Sequence, residues 1–159
     1  MAEIAKAGTP AVTSALILGA NRSGALPAGE DIAAGDACHI EGDGRAYRSV
    51  GAADDEAADV LGFAAAGAKR GEAVTLAFGV TMRYGAGLPP SGGLYLSETV
   101  PGGLADGPSP GGTAPVAVVL DATRIHVGPA GGWPGGLLRG REPPESSFGA
   151  GARDASGSN

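Results

Sequence analysis

The chain has 159 residues, 30 of them glycine and 12 proline, and a formal net charge of −6. Its length fits one domain with room for a tail. Its single cysteine, Cys38, excludes an internal disulfide, and the absence of any cluster of Lys and Arg argues against nucleic acid as a partner. A hydrophobic fraction of 43% argues against disorder throughout, but only 4% is aromatic, so the expected core is thin, rich in alanine and helped by a partner surface.

The first residues, Met1-Ala2-Glu3-Ile4-Ala5-Lys6, lack a basic region followed by an apolar run, so no secretory start is expected. Val12–Ala20 is too short to span a bilayer. The chain is therefore expected to be soluble, made in a cytoplasm and free of membrane contact, and Asn21-Arg22-Ser23 is a chance match to the glycosylation pattern. Residues 1–10 are read as an extended arm ending at Thr9-Pro10, residues 11–128 as a β-domain, and residues 129–159 as a flexible or extended tail rich in Gly, Pro and Ser.

Within the body, Ala11–Leu18 alternates apolar and small residues as a strand does. Asp36–Ile40 and Arg45–Val50 flank Asp43-Gly44, a strong hairpin turn signal. Ala52–Asp59 is the only candidate helix. Val60–Ala65 is a short apolar run. Gly71–Gly85, GEAVTLAFGVTMRYG, is the clearest segment: Val74, Leu76, Phe78, Val80, Met82 and Tyr84 recur with period two, which predicts one long half-buried strand. Gly93–Ser97 leads into the Pro101-Gly102-Gly103 turn, and Pro115–Leu120 and Arg124–Val127 close the body. Leu26-Pro27-Ala28-Gly29 and Leu88-Pro89-Pro90-Ser91-Gly92 read as proline-bearing loops that each feed a hairpin. Short strands separated by Gly and Pro turns predict an all-β fold, a small β-barrel or β-sandwich.

The residues that carry chemistry do not assemble along the sequence. Cys38 and His39 are neighbours in a strand and face opposite sides, so they lack the reach of a nucleophile pair. His39 and His126 could converge, yet a metal would still need a third ligand. Asp54, Asp55, Glu56 and Asp59 lack the spacing of a calcium loop. Gly62–Lys69 misses the phosphate-loop pattern because Ala68 intervenes before Lys69 and Arg70 follows it. Gly85-Ala86-Gly87 lacks the third glycine of a dinucleotide fingerprint, and no serine sits in a Gly-x-Ser-x-Gly elbow. The expectation is no catalytic residue, no cofactor-binding residue, no metal ligand and no enzyme activity.

The order of the pieces resembles that of small tailed-phage virion proteins of the capsid-decoration, or cement, type, with similar modules in head and tail fibres. The matching segments are Ile32-Ala33-Ala34-Gly35-Asp36 leading to the Asp43-Gly44 turn, Val60-Leu61-Gly62-Phe63-Ala64, Gly71-Glu72-Ala73-Val74 with Phe78-Gly79-Val80, Gly93 through Leu104, and Pro115 through Val127. The resemblance spans roughly residues 26–127 and implies a β-tulip-like, non-enzymatic protein on the outside of the capsid. It implies the major capsid protein as partner, clamped against internal pressure, and a homo-oligomer, often a trimer. The tail after Gly128 departs from the pattern.

The arm and tail are the expected partner-binding parts, with Ile4, Pro10, Trp133, Leu137 and Leu138 as interface residues. Two other functions remain open at this level: a head-fibre, tail-fibre or baseplate module, and a small β-barrel hydrolase whose histidines converge.

Overall fold

The computed structural model describes residues 2–13, 22–52 and 58–129, which form short strands with almost no helix. In chain order these are β1 (Glu3–Ile4), β2 (Ala11–Val12), β3 (Arg22–Pro27), β4 (Ala37–Ile40), β5 (Ala46–Arg48), β6 (Gly62–Ala64), β7 (Ala73–Ala77), β8 (Thr81–Arg83), β9 (Gly93–Leu96), β10 (Leu104–Ala105), β11 (Ala117–Val119) and β12 (Arg124–Val127). They make two antiparallel sheets, one of seven strands in the order β1-β10-β9-β11-β12-β8-β2 and one of five in the order β3-β7-β6-β4-β5. Neither sheet closes into a barrel. The five-stranded sheet curls until its two edges meet at one point, a bridge between Ala28 and Ala46, where the Gly29 amide donates to the Ala46 carbonyl at 2.8 Å.

The all-β expectation holds, and the long strand over Gly71–Gly85 does not. β7 belongs to the five-stranded sheet and β8 to the seven-stranded one. Between them the chain turns at Phe78-Gly79-Val80, and Gly79 sits at φ 65°, a left-handed conformation that costs glycine little. Apart from Ala77, the buried positions stay even-numbered across the turn, and what changes is the core they face. Val74 and Leu76 pack with Ala28, Ile32, Cys38, Ala46, Ala64 and Ala68 inside the curl of the five-stranded sheet. Ala77, Val80, Met82 and Tyr84 pack with Phe63, Leu94, Leu96, Leu104, Ile125 and Val127 in a larger cluster drawn from both sheets. Phe78, at the switch, is only half-buried, so the face expected to hold Val74, Leu76, Phe78, Val80 and Met82 together is two faces of two cores.

Three strands go beyond the expectation. β3 uses Leu26-Pro27, read above as loop, and its ladder with β7 is interrupted by a bulge between Arg22 and Ala25, with Gly24 at φ 75°. Pro27 ends the strand at a sheet edge, the position a proline tolerates. β1 and β10 are two residues each and exist by pairing: Glu3 opposite Ala105, Ile4 opposite Leu104. Of the strand expected over Ala11–Leu18, Ala11–Val12 forms β2, and residues 14–18 lie outside the described residues, as do residues 53–57 of the candidate helix.

Candidate functional site

The segment read as an extended arm is held on the chain's own body. Beyond the β1–β10 pairing, the Ala7 amide donates to the Tyr84 carbonyl at 2.9 Å. The Lys6 ammonium pairs with the Asp36 carboxylate, whose side chain is only 7% exposed. Asp36 also accepts the Ala33 amide at 2.8 Å. Ile4 packs against the larger core cluster, and Pro10 is buried, its ring close to Gly35. Pro10 is thus covered within this chain, and Ile4 is covered in part. Trp133, Leu137 and Leu138 lie outside the described residues. Among the described residues, the large exposed apolar side chains are Ile40, Val100 and Leu120.

The densest polar constellation lies on the β4–β5 hairpin. The Asp43-Gly44 turn sets a register in which His39 faces Tyr47 and Cys38 faces Arg48. Cross-strand partners share a face, so His39, Tyr47 and Ser49 project to one side and Cys38 to the other. His39 is buried, and its ring stacks on Tyr47 with centroids 6.1 Å apart. Its Nδ1 lies 3.2 Å from Ser49 Oγ and its Nε2 lies 2.9 Å from Glu41 Oε2. Ser49 Oγ in turn donates to the Asp59 carbonyl. His39 and Asp59 line a cavity of about 430 Å³ between the sheets, with Leu61, Leu96 and residues 111–116 on its other walls.

A serine, a histidine and a carboxylate in contact invite comparison with a hydrolytic triad. Here the serine is fully buried and its hydroxyl proton is directed at a backbone carbonyl, which leaves the oxygen a structural link and not a nucleophile. His126, on β12 of the other sheet, lies 3.4 Å from Thr81 Oγ1 through its Nδ1. The two histidines therefore sit in different sheets with different partners. Sequence spacing missed the relay because Ser49 is ten residues from His39; the Asp43-Gly44 turn was the one signal that could have set the pairing.

The remaining candidates resolve into structural roles. Cys38 is buried in the curl of the five-stranded sheet; burial pushes its thiol well above the usual range, with Asp36 adding to the rise. Gly62–Lys69 begins in β6 and leaves it through a turn, with no helix to supply a phosphate-binding terminus. Asp54, Asp55 and Glu56 lie outside the described residues. Among the described residues, no group of three or more His, Cys, Asp and Glu is placed to hold a metal ion, and no helix is long and apolar enough to cross a membrane. Away from the cores, Glu30 pairs with Arg48 through Oε1 to Nη2 at 3.2 Å and accepts the Arg48 amide at 2.7 Å, which ties the edge of β5 to the segment after β3.

No family model, curated protein or solved structure matches this chain.

Proposed function

We propose that this chain is a non-enzymatic virion structural protein of a tailed phage that binds the outside of the capsid and braces contacts between major capsid subunits. The observation that carries the reading is the order of the resembling segments, read together with the elements they occupy. Asp36–Ile40 and the Asp43-Gly44 turn fall on the β4–β5 hairpin. Val60–Ala64 leads through β6, Gly71–Val80 runs along β7, and Pro115–Val127 spans β11 and β12. We read the two sheets as a small β-tulip-like sandwich carrying a Gly- and Pro-rich tail.

Physical chemistry supports a role in assembly. Short strands over cores rich in alanine and valine leave modest stability to the isolated chain, and association adds to it by mass action. Pro10 is covered by this chain's own body, so docking is assigned to the part of Ile4 left exposed on the arm and to the tail through Trp133, Leu137 and Leu138. The partner is the major capsid protein, the assembly a homo-oligomer with a trimer favoured by the resemblance, and the location the capsid exterior after synthesis in the host cytoplasm.

The test is co-sedimentation of the purified protein with phage heads and, separately, with tails. Binding to heads that is lost on removal of residues 130–159 supports the reading. Binding to tails alone would replace it with a fibre or baseplate module. Failure to bind either would refute it.

A further inference from the structure

We infer that Glu41, His39, Ser49 and the Asp59 carbonyl form a relay, buried at His39 and Ser49, that holds one extra proton, making it a pH-sensitive clasp between the β4–β5 hairpin and the segment that leads into β6. A proton count leads to it. Three contacts join four groups: Glu41 Oε2 to His39 Nε2, His39 Nδ1 to Ser49 Oγ, and Ser49 Oγ to the Asp59 carbonyl. Each hydrogen bond needs one proton. An ionised carboxylate and a backbone carbonyl only accept. A neutral imidazole brings one proton and a hydroxyl brings one, which serves two bonds and leaves the third as a contact between lone pairs. An imidazolium brings two, and all three bonds are then made. The count assigns the extra proton to the ring, with the Glu41 carboxyl, 36% exposed at the outer end of the relay, as acceptor.

Arg45 sits across the hairpin from Glu41, whose amide donates to the Arg45 carbonyl at 3.1 Å, and its side chain is exposed. Tyr47 stacks on the ring and directs its hydroxyl to Asp43 at 2.5 Å. The Asp59 side chain is exposed beside the same cavity, and Cys38 and Arg48 face the opposite side of the hairpin. Across the cavity, Leu96 and residues 111–116 carry no ionisable side chain.

The consequence is a direction of pH dependence. The hydrogen-bond count requires the extra proton only in the folded state, because unfolding breaks all three contacts. Where the native state binds more protons, stability falls as pH rises. Loss of the proton costs one of three bonds, and the hairpin loosens from the wall of the inter-sheet cavity.

Glu41→Gln isolates the effect. Its amide donates to Nε2, so all three bonds form with a neutral ring and no extra proton. The experiment is heteronuclear NMR of the His39 ring nitrogens in the full chain at about pH 7, with melting curves from about pH 6 to about pH 9, for the wild type and for Glu41→Gln. The expected result is two protonated ring nitrogens in the wild type and one in the variant. The wild-type melting temperature is expected to fall by several degrees across that range beyond any fall in the variant. A wild-type ring with a single protonated nitrogen overturns the inference, and so does an identical pH response in the two proteins.

Discussion

Replacing Lys6 by methionine tests whether the N-terminal segment is part of the body. The substitution keeps the length and apolar stem of the side chain and removes its charge. It leaves the Asp36 carboxylate, 7% exposed, with the Ala33 amide as its remaining side-chain hydrogen bond among the described residues. Removing one partner of a fully buried ion pair costs about 3–5 kcal/mol. Lys6 keeps 24% of its side-chain surface in water, so part of that cost is screened, and a loss of about 1.5–3 kcal/mol is expected. The assay is chemical denaturation of four proteins: wild type, Lys6→Met, Asp36→Asn and the double variant. The introduced amide oxygen still accepts the Ala33 amide, so the cycle isolates the charge pair. Lys6→Met should be costly where Asp36 is kept and nearly neutral in the Asp36→Asn background. A loss below about 0.5 kcal/mol, or an equal loss in both backgrounds, would refute the argument that Asp36 depends on the arm.

The two-core arrangement separates two phenylalanines. Phe63, 1% exposed, should cost about 3–5 kcal/mol on truncation to alanine, whereas half-buried Phe78 should cost less than about 2 kcal/mol; equal losses in denaturant melts would restore the single long strand. The Tyr84 hydroxyl is buried with no hydrogen-bond partner among the described residues, so Tyr84→Phe should be neutral or stabilising by about 1 kcal/mol in thermal melts, and a clear destabilisation would mean the hydroxyl is bonded. Asp121 is held down to about 2 by its hydrogen bond from Arg124, aided by the Thr123 amide. Its contribution to stability is present above the ordinary carboxylate value of about 3.9 and is lost as pH falls through about 2. NMR titration of Arg124→Gln should move Asp121 back toward the ordinary value; an unmoved titration would mean the backbone amides alone set it.

What the sequence reveals about this fold follows the range of the interactions. The Asp43-Gly44 turn is a local signal, and the hairpin it predicts forms between Ala37–Ile40 and Ala46–Arg48. Arg124–Val127 alternates cleanly and is β12 with the same bounds. Gly71–Gly85 shows strand character at nearly every position, yet period two cannot report which sheet a residue joins, and the crossover at Gly79 depends on where two sheets already lie. β1 and β10 have no local pattern, because two residues become a strand only beside a distant partner. Gly24 and Pro27 hid β3, being turn residues that a bulged edge strand also accepts. The relay at His39 was illegible for a similar reason: its histidine and carboxylate are two residues apart, but its serine and carbonyl arrive through register and through the return of the chain before β6. His39 and His126, the pair sequence reasoning did weigh, fall on different sheets.

The most direct test of the proposed capsid role is an electron cryomicroscopy reconstruction of phage heads assembled with and without this protein. A capsid role predicts added density on the outer surface of the shell, shaped as two small antiparallel sheets and seated over contacts between major capsid subunits. Identical shells in the two reconstructions, with the protein instead on tails or absent from the particle, would contradict it.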